Sequence, residues 1–278
     1  MLVLPLVLSL FASQPEADPV IERVETGMPE GRTFAPSDYH DGTLNVFTFQ
    51  PPDSLPQLWQ RRRGADGAWS APEPVPFADP AGDADAYFQP GTGRLVFMSL
   101  RGNDAPNWDI WEVHWDGFAW GQPRRIDAIN GPGPDIYPTV AADGTIAFAT
   151  VRDGTGADRQ IWLARPDGPE GYETAVAPGA INRDPRVSNP LISPDGRRMI
   201  VFENLDGGFG GPDLALSCLG DDGWSEPVNL GPGINTAAAE YAPGTSADGR
   251  VFYFSRDTDL YRVSVSDLPA IHGCSDQD

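Results

Sequence analysis

At residues 195–202 the chain reads Asp-Gly-Arg-Arg-Met-Ile-Val-Phe, a tight-turn dipeptide followed by a strand-like run. The same order of turn and apolar run recurs along the whole chain. The five turns are Asp41-Gly42, Thr92-Gly93, Asp143-Gly144, Asp195-Gly196 and Asp248-Gly249. Their glycines are 51, 51, 52 and 53 residues apart. This regularity indicates a repeat architecture with about fifty residues in each unit.

Each unit contains short segments that are typical of β-strands. The run after the turn is rich in β-branched and aromatic residues, as in Val251-Phe252-Tyr253-Phe254. A polar loop then leads to a second run such as Gln160-Ile161-Trp162, and a further turn leads to a last strand that an aromatic residue opens, as at Trp224. Asp-Gly supplies the positive φ angles that a two-residue hairpin needs. Four short strands in each unit make one blade of a β-propeller.

The two ends of the chain complete one blade. The fifth unit stops near Val265 without a fourth strand, and residues 19–24 read Pro-Val-Ile-Glu-Arg-Val, like the fourth strand of other units. A ring of blades leaves no exposed edge only if its ends join. We therefore predict an all-β fold: a five-bladed β-propeller of four-stranded blades, closed by the N-terminal strand pairing into the last blade.

The repeats divide the chain into three parts. Residues 19–268 are predicted to form a single β-propeller domain, followed by a C-terminal tail at 269–278. Residues 1–18 begin with an apolar run, Met1–Ala12, that is too short to span a bilayer and is similar to the apolar region of a secretory signal peptide. The usual basic residues before that run are missing, so the alternative is a disordered N-terminus or a misassigned start codon. We expect a periplasmic or secreted protein that is not membrane-spanning.

The net charge and the cysteines limit which partners and cofactors the chain can have. Lys and Arg total 19 against 40 Asp and Glu, a formal net charge of −21, which repels phosphate backbones and predicts no nucleic-acid partner. An oxidising compartment would permit a bond between Cys218 and Cys274, while two unpaired thiols fit the sequence as well. The carboxylates Asp79, Asp83 and Asp85 form a dense oxygen cluster but lack the twelve-residue calcium-loop pattern. We therefore predict no metal and no cofactor.

Two sets of polar residues recur with the period. Arginine follows the turn glycine by seven or eight residues, and aspartate opens the next strand. The arginines are Arg101, Arg152 and Arg256, and the aspartates are Asp109, Asp213 and Asp259. Because a functional site on a propeller breaks the symmetry, recurrence favours a structural role in which Arg and Asp bridge one loop. Asparagines fourteen residues before the glycine are interpreted as loop-shaping residues. They are Asn130, Asn182 and Asn235.

These repeated residues carry a family resemblance. Residues 224–236 read Trp-Ser-Glu-Pro-Val-Asn-Leu-Gly-Pro-Gly-Ile-Asn-Thr, followed by Glu240, Pro243 and Ser246-Ala247-Asp248-Gly249. This pattern resembles the TolB-like, WD-repeat-like β-propeller repeat of bacterial envelope proteins, and the likeness extends over most of the chain. The resemblance implies a propeller that binds other proteins or ligands, although a fold alone does not fix a function.

Catalysis finds little support in the sequence. The chain has no Gly-x-Ser-x-Gly nucleophile motif. The inner strands are predicted around segments such as Ala86-Tyr87-Phe88-Gln89, which contain no carboxylate. We therefore predict that the protein is not an enzyme. The alternative is a five-bladed carbohydrate-active enzyme, glycosidase-like, using loop carboxylates. Those carboxylates are Asp83, Asp85, Asp135 or Glu240.

A binding surface is predicted on one face of the propeller. The longest and least repetitive segments are residues 50–56, 100–108, 152–159 and 204–212, which emerge on the same face of the ring. Loops that vary on a repeated scaffold are where binding usually resides. We expect a non-catalytic binding or scaffolding module of the cell envelope that recognises a protein partner or a carbohydrate ligand. The predicted contacts are Trp108, Arg101, Arg152 and Phe209.

Overall fold

The computed structural model describes residues 19–102, 107–152, 158–168, 171–204, 208–268 and 274. Within these residues the strands form small antiparallel sheets whose first strands contact one another in a ring. The fold class predicted from the repeats is confirmed: this is a five-bladed β-propeller. The predicted signal-like segment and nearly all of the predicted tail lie outside the described residues.

Every blade is a meander that runs outward from the central channel. Strand β1 (Glu22–Arg23) precedes the first blade. Blade 1 contains β2 (Arg32–Asp38), β3 (Leu44–Gln50), β4 (Gln57–Arg62) and β5 (Glu73–Pro74). Blade 2 contains β6 (Asp83–Phe88), β7 (Arg94–Ser99), β8 (Asp109–His114) and β9 (Arg124–Arg125). Blade 3 contains β10 (Asp135–Val140), β11 (Ile146–Thr150), β12 (Gln160–Pro166) and β13 (Tyr172–Val176).

The last two blades contain the departures from this scheme. Blade 4 contains β14 (Ser188–Ile192), β15 (Arg198–Glu203), β16 (Asp213–Gly220), β17 (Gly223–Trp224) and β18 (Val228–Asn229). Blade 5 contains β19 (Glu240–Thr245), β20 (Val251–Arg256) and β21 (Asp259–Ser264). Both β17 and β18 pair with β16, so the outer strand of blade 4 is interrupted. Single 3₁₀ turns occur at Ala180–Asn182 and Val265–Asp267.

The N-terminal strand closes the ring as predicted. Strand β1 pairs antiparallel with β21, with Glu22 opposite Arg262 and Arg23 opposite Tyr261. The Val24 amide adds a hydrogen bond of 2.8 Å to the Leu260 carbonyl. Two exposed ion pairs, Arg262–Glu22 and Arg23–Asp259, flank this pairing. The last blade therefore takes its fourth strand from the start of the domain.

A disulfide resolves the alternative left open for the cysteines. Cys218 of β16 is bonded to Cys274, with Cα atoms 5.6 Å apart. Cys274 belongs to the segment after blade 5, whereas β16 belongs to blade 4. The bond therefore ties the C-terminal segment back to the preceding blade.

The hairpin turns between the first and second strands keep the predicted glycine conformation in four blades, but the predicted two-residue form is wrong. The turn aspartates do not have positive φ, and in blade 1 the Tyr39 amide bonds the Leu44 carbonyl around a four-residue loop. Gly42, Gly144, Gly196 and Gly249 all have positive φ, between 67° and 91°. In blade 2 the glycine with positive φ is Gly91 (φ 73°), not Gly93 as the Thr92-Gly93 pattern predicts. A Cβ at Gly93 would lie 1.9 Å from the Trp115 carbonyl oxygen, so this glycine is required for close approach instead.

The inner strands share a further feature that the repeat pattern does not reveal. Each contains a register shift against its neighbour, and each places a non-glycine residue at positive φ in or beside the shift. These residues are Ala35, Asp85, Tyr137, Asn189 and Ala242, with φ between 45° and 57°. Such left-handed residues in a strand mark β-bulges, which redirect side chains. All five line one narrow cavity on the channel axis.

The apolar core lies between the blades. Phe97, Phe148 and Phe254 of the second strands are fully buried, as is Trp224. Trp115 is also buried and packs against Trp120. The part of the chain that the structure describes contains no helix long and apolar enough to cross a membrane.

Candidate functional site

The propeller has two unlike faces. The loop face carries the connections between second and third strands and those between consecutive blades. The hairpin face carries the turns between first and second strands and between third and fourth strands. Since successive strands are antiparallel, the four segments predicted as a binding surface all belong to the loop face. Their described parts differ in sequence from blade to blade, whereas the first hairpins are nearly alike.

The predicted contacts Arg101 and Arg152 are held by their own blades. Arg101 Nη2 donates to both carboxylate oxygens of Asp83, at 2.7 and 2.6 Å, and its guanidinium stacks between Phe97 and Trp111. Only 10% of its side chain is exposed. Arg152 lies 3.8 Å from Asp135 and covers Trp162.

Arg256 repeats the same arrangement in blade 5. It donates to Glu240 at 2.7 Å and stacks between Phe254 and Tyr261. Recurrence in blades 2, 3 and 5 fits the structural interpretation of these arginines. The partner of each arginine, however, is the carboxylate that begins the inner strand of its blade, not the aspartate that opens the third strand. These carboxylates are Asp83, Asp135 and Glu240. The ligand contacts predicted for Arg101 and Arg152 stay a prediction.

The third-strand aspartates and the repeated asparagines contact other partners. Asp109 bonds Arg125 at 2.8 Å, Asp213 accepts from Asn229 at 2.7 Å, and Asp259 pairs with Arg23 across the closure. Asn130 accepts from the Ile110 amide and donates to the Ile110 carbonyl. Asn182 and Asn235 clamp Ile161 and Leu214 in the same way. The asparagines therefore fix the connection between blades to the third strand, as a loop-shaping residue should.

The predicted contacts Trp108 and Phe209 lie on the loop face. Phe209 is 42% exposed in the connection before β16. Trp108 is half-buried and lies against Gly82, which also meets Leu100 and Leu55. Leu55 is 50% exposed. We call Leu55, Leu100 and Trp108 the Trp108 patch, an apolar surface on the connections of blades 1 and 2.

The sequence prediction that the inner strands contain no carboxylate is wrong. Strand β6 begins at Asp83 and includes Asp85, β10 begins at Asp135, and β19 begins at Glu240. These four residues, predicted as loop carboxylates for the enzymatic alternative, are therefore strand residues. Asp83, Asp135 and Glu240 accept hydrogen bonds from amides four residues earlier and face the arginines described above. Asp83 and Glu240 also accept hydrogen bonds from their arginines, whereas Asp135 Oδ1 is buried without a hydrogen-bond partner in the described structure.

Asp85 differs from the other three carboxylates. It occupies the left-handed bulge position and lines the 20 Å³ cavity on the channel axis. The side chain is only 6% exposed, and its Oδ2 atom is buried without a hydrogen-bond partner in the described structure. Burial raises the pKa of Asp85 to about 7, and the nearby Arg32 opposes this rise. Asp85 is thus a proton-binding group poised near neutral pH at the centre of the ring.

Aromatic and cationic side chains surround Asp85 on the loop face. Tyr137 and Tyr241 are half-buried, and burial raises the pKa of both phenols, with the Asp85 carboxylate adding to the effect. Tyr241 accepts a 3.3 Å hydrogen bond from Arg32 Nε and donates to the Asp257 carbonyl at 2.7 Å. We call Asp85, Tyr137, Tyr241 and Arg32 the channel mouth. Together they offer one acid, two phenols and one guanidinium within a narrow opening.

The place of Asp85 on an inner strand was not predicted for a specific reason. The inner strand of blade 2 was predicted around Ala86, whereas β6 begins at Asp83 and so includes Asp85. Among the described residues, no group of three or more His, Cys, Asp or Glu side chains is arranged to hold a metal ion.

Solved structures with a similar fold include TolB proteins and enzymes. The chain is similar to a TolB from Agrobacterium tumefaciens (TM-score 0.53, 17% identity, covering 85% of this chain and 76% of that one). It is also similar to a gluconolactonase from Xanthomonas campestris (TM-score 0.54, 13% identity, 84% and 86%). A third is an α-L-arabinofuranosidase from Lactobacillus brevis (TM-score 0.52, 13% identity, 84% and 90%).

These similarities confirm the TolB-like propeller resemblance for the fold alone, because all the identities are low. The chain spans 46% of the length of the TolB from Acinetobacter baumannii. In sequence, the chain matches no protein-family profile and no curated protein.

Proposed function

We propose that this propeller is a non-catalytic binding or scaffolding module of the bacterial cell envelope, which recognises a protein or ligand with its loop face. The observation that carries the proposal is the broken symmetry of the channel mouth. Among five equivalent bulge positions, one holds a buried carboxylate with an unpartnered oxygen atom. A buried polar group without a partner is costly to keep for stability alone. Its presence at the mouth favours a group supplied by a bound partner.

The surface around the channel mouth also favours binding on the loop face. The exposed side chains of Leu55 and Phe209 stand on loop-face connections, and Trp108 extends the apolar surface beside Leu55. Apolar and aromatic side chains rimmed by polar ones are typical of recognition surfaces. The net charge of −21 favours a partner with a basic surface. The likeness to TolB structures is compatible with a protein partner and a periplasmic or secreted location.

The glycosidase-like alternative needs two working carboxyl groups on opposite sides of a sugar. Asp83 and Glu240 are each bound to an arginine at 2.7 Å or less, and Asp135 is held by an amide and lies near Arg152. Asp135 keeps one oxygen without a hydrogen-bond partner but is fully buried, so Asp85 is the one of these four carboxyl groups that lines the channel cavity. This geometry favours binding over glycoside hydrolysis. A gluconolactonase and an arabinofuranosidase of similar fold keep the alternative worth testing.

The test compares variants of the two faces. Leu55→Ser and Phe209→Ser alter exposed loop-face side chains, and Phe118→Ser is the matched control, since Phe118 is 89% exposed on a hairpin-face turn. Each variant is immobilised, exposed to a periplasmic extract and to a glycan array, and checked for an unchanged melting temperature. We expect the loop-face changes to abolish retention of the ligand seen with the wild type. Loss with Phe118→Ser and retention with the other two would place binding on the hairpin face.

The enzymatic alternative has its own readout. Release of reducing sugar from arabinan and other plant or bacterial polysaccharides is measured for the wild type and for Asp85→Asn. We expect no release above the buffer blank. Release that disappears in Asp85→Asn would establish the enzyme and overturn the proposal.

A further inference from the structure

A second cavity opens at the other end of the channel. It has a volume of 220 Å³ and lies among the first hairpins of blades 1, 2, 4 and 5. Its walls are apolar: Leu191, Ile200, Leu216 and Phe252 are at most 5% exposed, and Tyr87 is 7% exposed. An enclosed apolar cavity of about 150 Å³ is large enough to bind benzene. This one therefore has room for a ring with a short substituent.

The polar side chains at the edge of this cavity are nearly all engaged with the protein itself. Ser37 Oγ accepts from the Phe88 amide at 2.9 Å, and Thr245 Oγ1 lies 3.4 Å from the Tyr87 hydroxyl. Ser246 donates to Asp248 at 2.7 Å. Gln89 donates to the Ala142 carbonyl at 3.1 Å, and Asp38 accepts from Asn45 at 2.8 Å. These groups offer little to a ligand without first breaking a bond.

The exceptions are His40, which is exposed at the edge of the cavity, and Arg198, whose side chain is 37% exposed. Arg198 lines the cavity, and its Nε atom is buried without a hydrogen-bond partner in the described structure. Its ion pair with Asp195 is long, 3.7 Å, and is made by Nη1, which leaves Nε without an acceptor. A buried guanidinium N–H without an acceptor is costly, and an acceptor supplied by a ligand would remove that cost. A carboxylate is the acceptor that makes the strongest such bond.

We propose that the hairpin end of the channel is a second binding site, for a compact amphipathic molecule with an apolar ring or short chain and one carboxylate. The apolar body fills the cavity between blades 4 and 5, and the carboxylate accepts from Arg198. The site is separate from the loop face and does not depend on the function proposed for it.

A pair of probes of equal shape tests the chemistry. Binding of 3-phenylpropionate and of 3-phenylpropylamine to the full chain is measured by isothermal titration calorimetry, with saturation-transfer NMR to detect ring contact. The acid should bind saturably and at least roughly tenfold more tightly than the amine, because only the acid offers an acceptor to Arg198. Equal affinity of the two probes, or no saturable binding of the acid up to millimolar concentration, would overturn the proposal.

Paired variants separate a specific contact from general charge. Arg198→Met removes the Nε donor, and Arg197→Met removes the same charge from the exposed neighbouring residue. We expect the first to weaken acid binding roughly tenfold or more and the second to leave it unchanged. An equal loss in both variants would show nonspecific electrostatics and contradict the site.

A third variant keeps the test decisive if Arg198→Met does not fold. Ile200→Phe enlarges a wall side chain and should abolish acid binding while the near-ultraviolet circular dichroism is retained. Phe209→Ser on the loop face should leave acid binding unchanged. Unimpaired binding in folded Ile200→Phe would mean that the probe binds elsewhere.

Discussion

Removing the charge of Asp85 should stabilise the protein, and the gain should grow with pH. Burial raises the pKa of this carboxyl from its ordinary value of 3.8 to about 7. In the unfolded chain the group ionises near its ordinary value, while the folded protein keeps the proton until about pH 7. Between these values the unfolded state binds fewer protons, so stability falls as the pH rises. The contribution of the protonated group is fully present only below the unfolded pKa.

The size of the effect follows from the same two pKa values. Each pH unit in the window costs the folded state about 1.4 kcal/mol. The total reaches about 4 kcal/mol by pH 8, of which about 3 kcal/mol is lost between pH 5 and pH 8. Asp85→Asn keeps the shape of the side chain and does not titrate. The free energy of unfolding of this variant, relative to the wild type, should therefore rise by about 3 kcal/mol over that interval.

Urea denaturation followed by tryptophan fluorescence at pH 5, 6, 7 and 8 measures this difference at constant ionic strength. Asp83→Asn is the matched control, two residues earlier on the same strand and bound to Arg101. It should lower the free energy of unfolding at every pH, because it breaks a buried ion pair. A difference between Asp85→Asn and the wild type that is the same at pH 5 and pH 8 would refute the reasoning.

Three further predictions concern the contacts that hold the ring. Deleting residues 19–25 should remove the fourth strand of blade 5, broaden thermal unfolding and increase aggregation in light scattering, and an unchanged melting profile would disprove closure by β1. Arg101→Met should lower the free energy of urea unfolding by about 3–5 kcal/mol, since it leaves Asp83 buried without a cation. Arg23→Met, which breaks an exposed pair, should cost much less than Arg101→Met, and equal losses would contradict this ranking. Cys274→Ser should lower the melting temperature and should lower the free energy of unfolding by about 2–4 kcal/mol. Unfolding identical to that of the unreduced wild type would contradict this.

The fold could be predicted from the sequence because its signals are local and repeated. An Asp-Gly pair marks a hairpin through the positive φ of its glycine, and the strand runs beside it alternate or remain apolar. The unpaired segment before blade 1 and the missing fourth strand of blade 5 then predicted β1–β21 pairing, which the structure confirms. The two-residue form predicted for the turns was wrong, because their aspartates do not have positive φ. In blade 2 the glycine was misplaced as well, because Gly91 and Gly93 both stand beside Thr92.

The candidate site could not be predicted because it depends on where strands begin and on a bulge. The inner strand of blade 2 was predicted to begin at Ala86, three residues after its true start at Asp83, and the prediction therefore left out Asp83 and Asp85. The left-handed backbone at Asp85 has no sequence signature, since Ala, Asp, Tyr and Asn occupy the equivalent positions. The partner of each repeated arginine was misassigned for a related reason: the carboxylates lie on the first strand and the arginines after the second, so only the register brings them together.

The five bulges also divide the chain into positions that can vary and positions that cannot. Each blade delivers one side chain to a common axis, and the backbone there has the same left-handed conformation whether the residue is alanine, aspartate, tyrosine or asparagine. The turns, the asparagine clamps and the ion pairs that hold a blade involve other residues. The chemistry at the axis can therefore differ from blade to blade while the contacts that hold each blade stay the same.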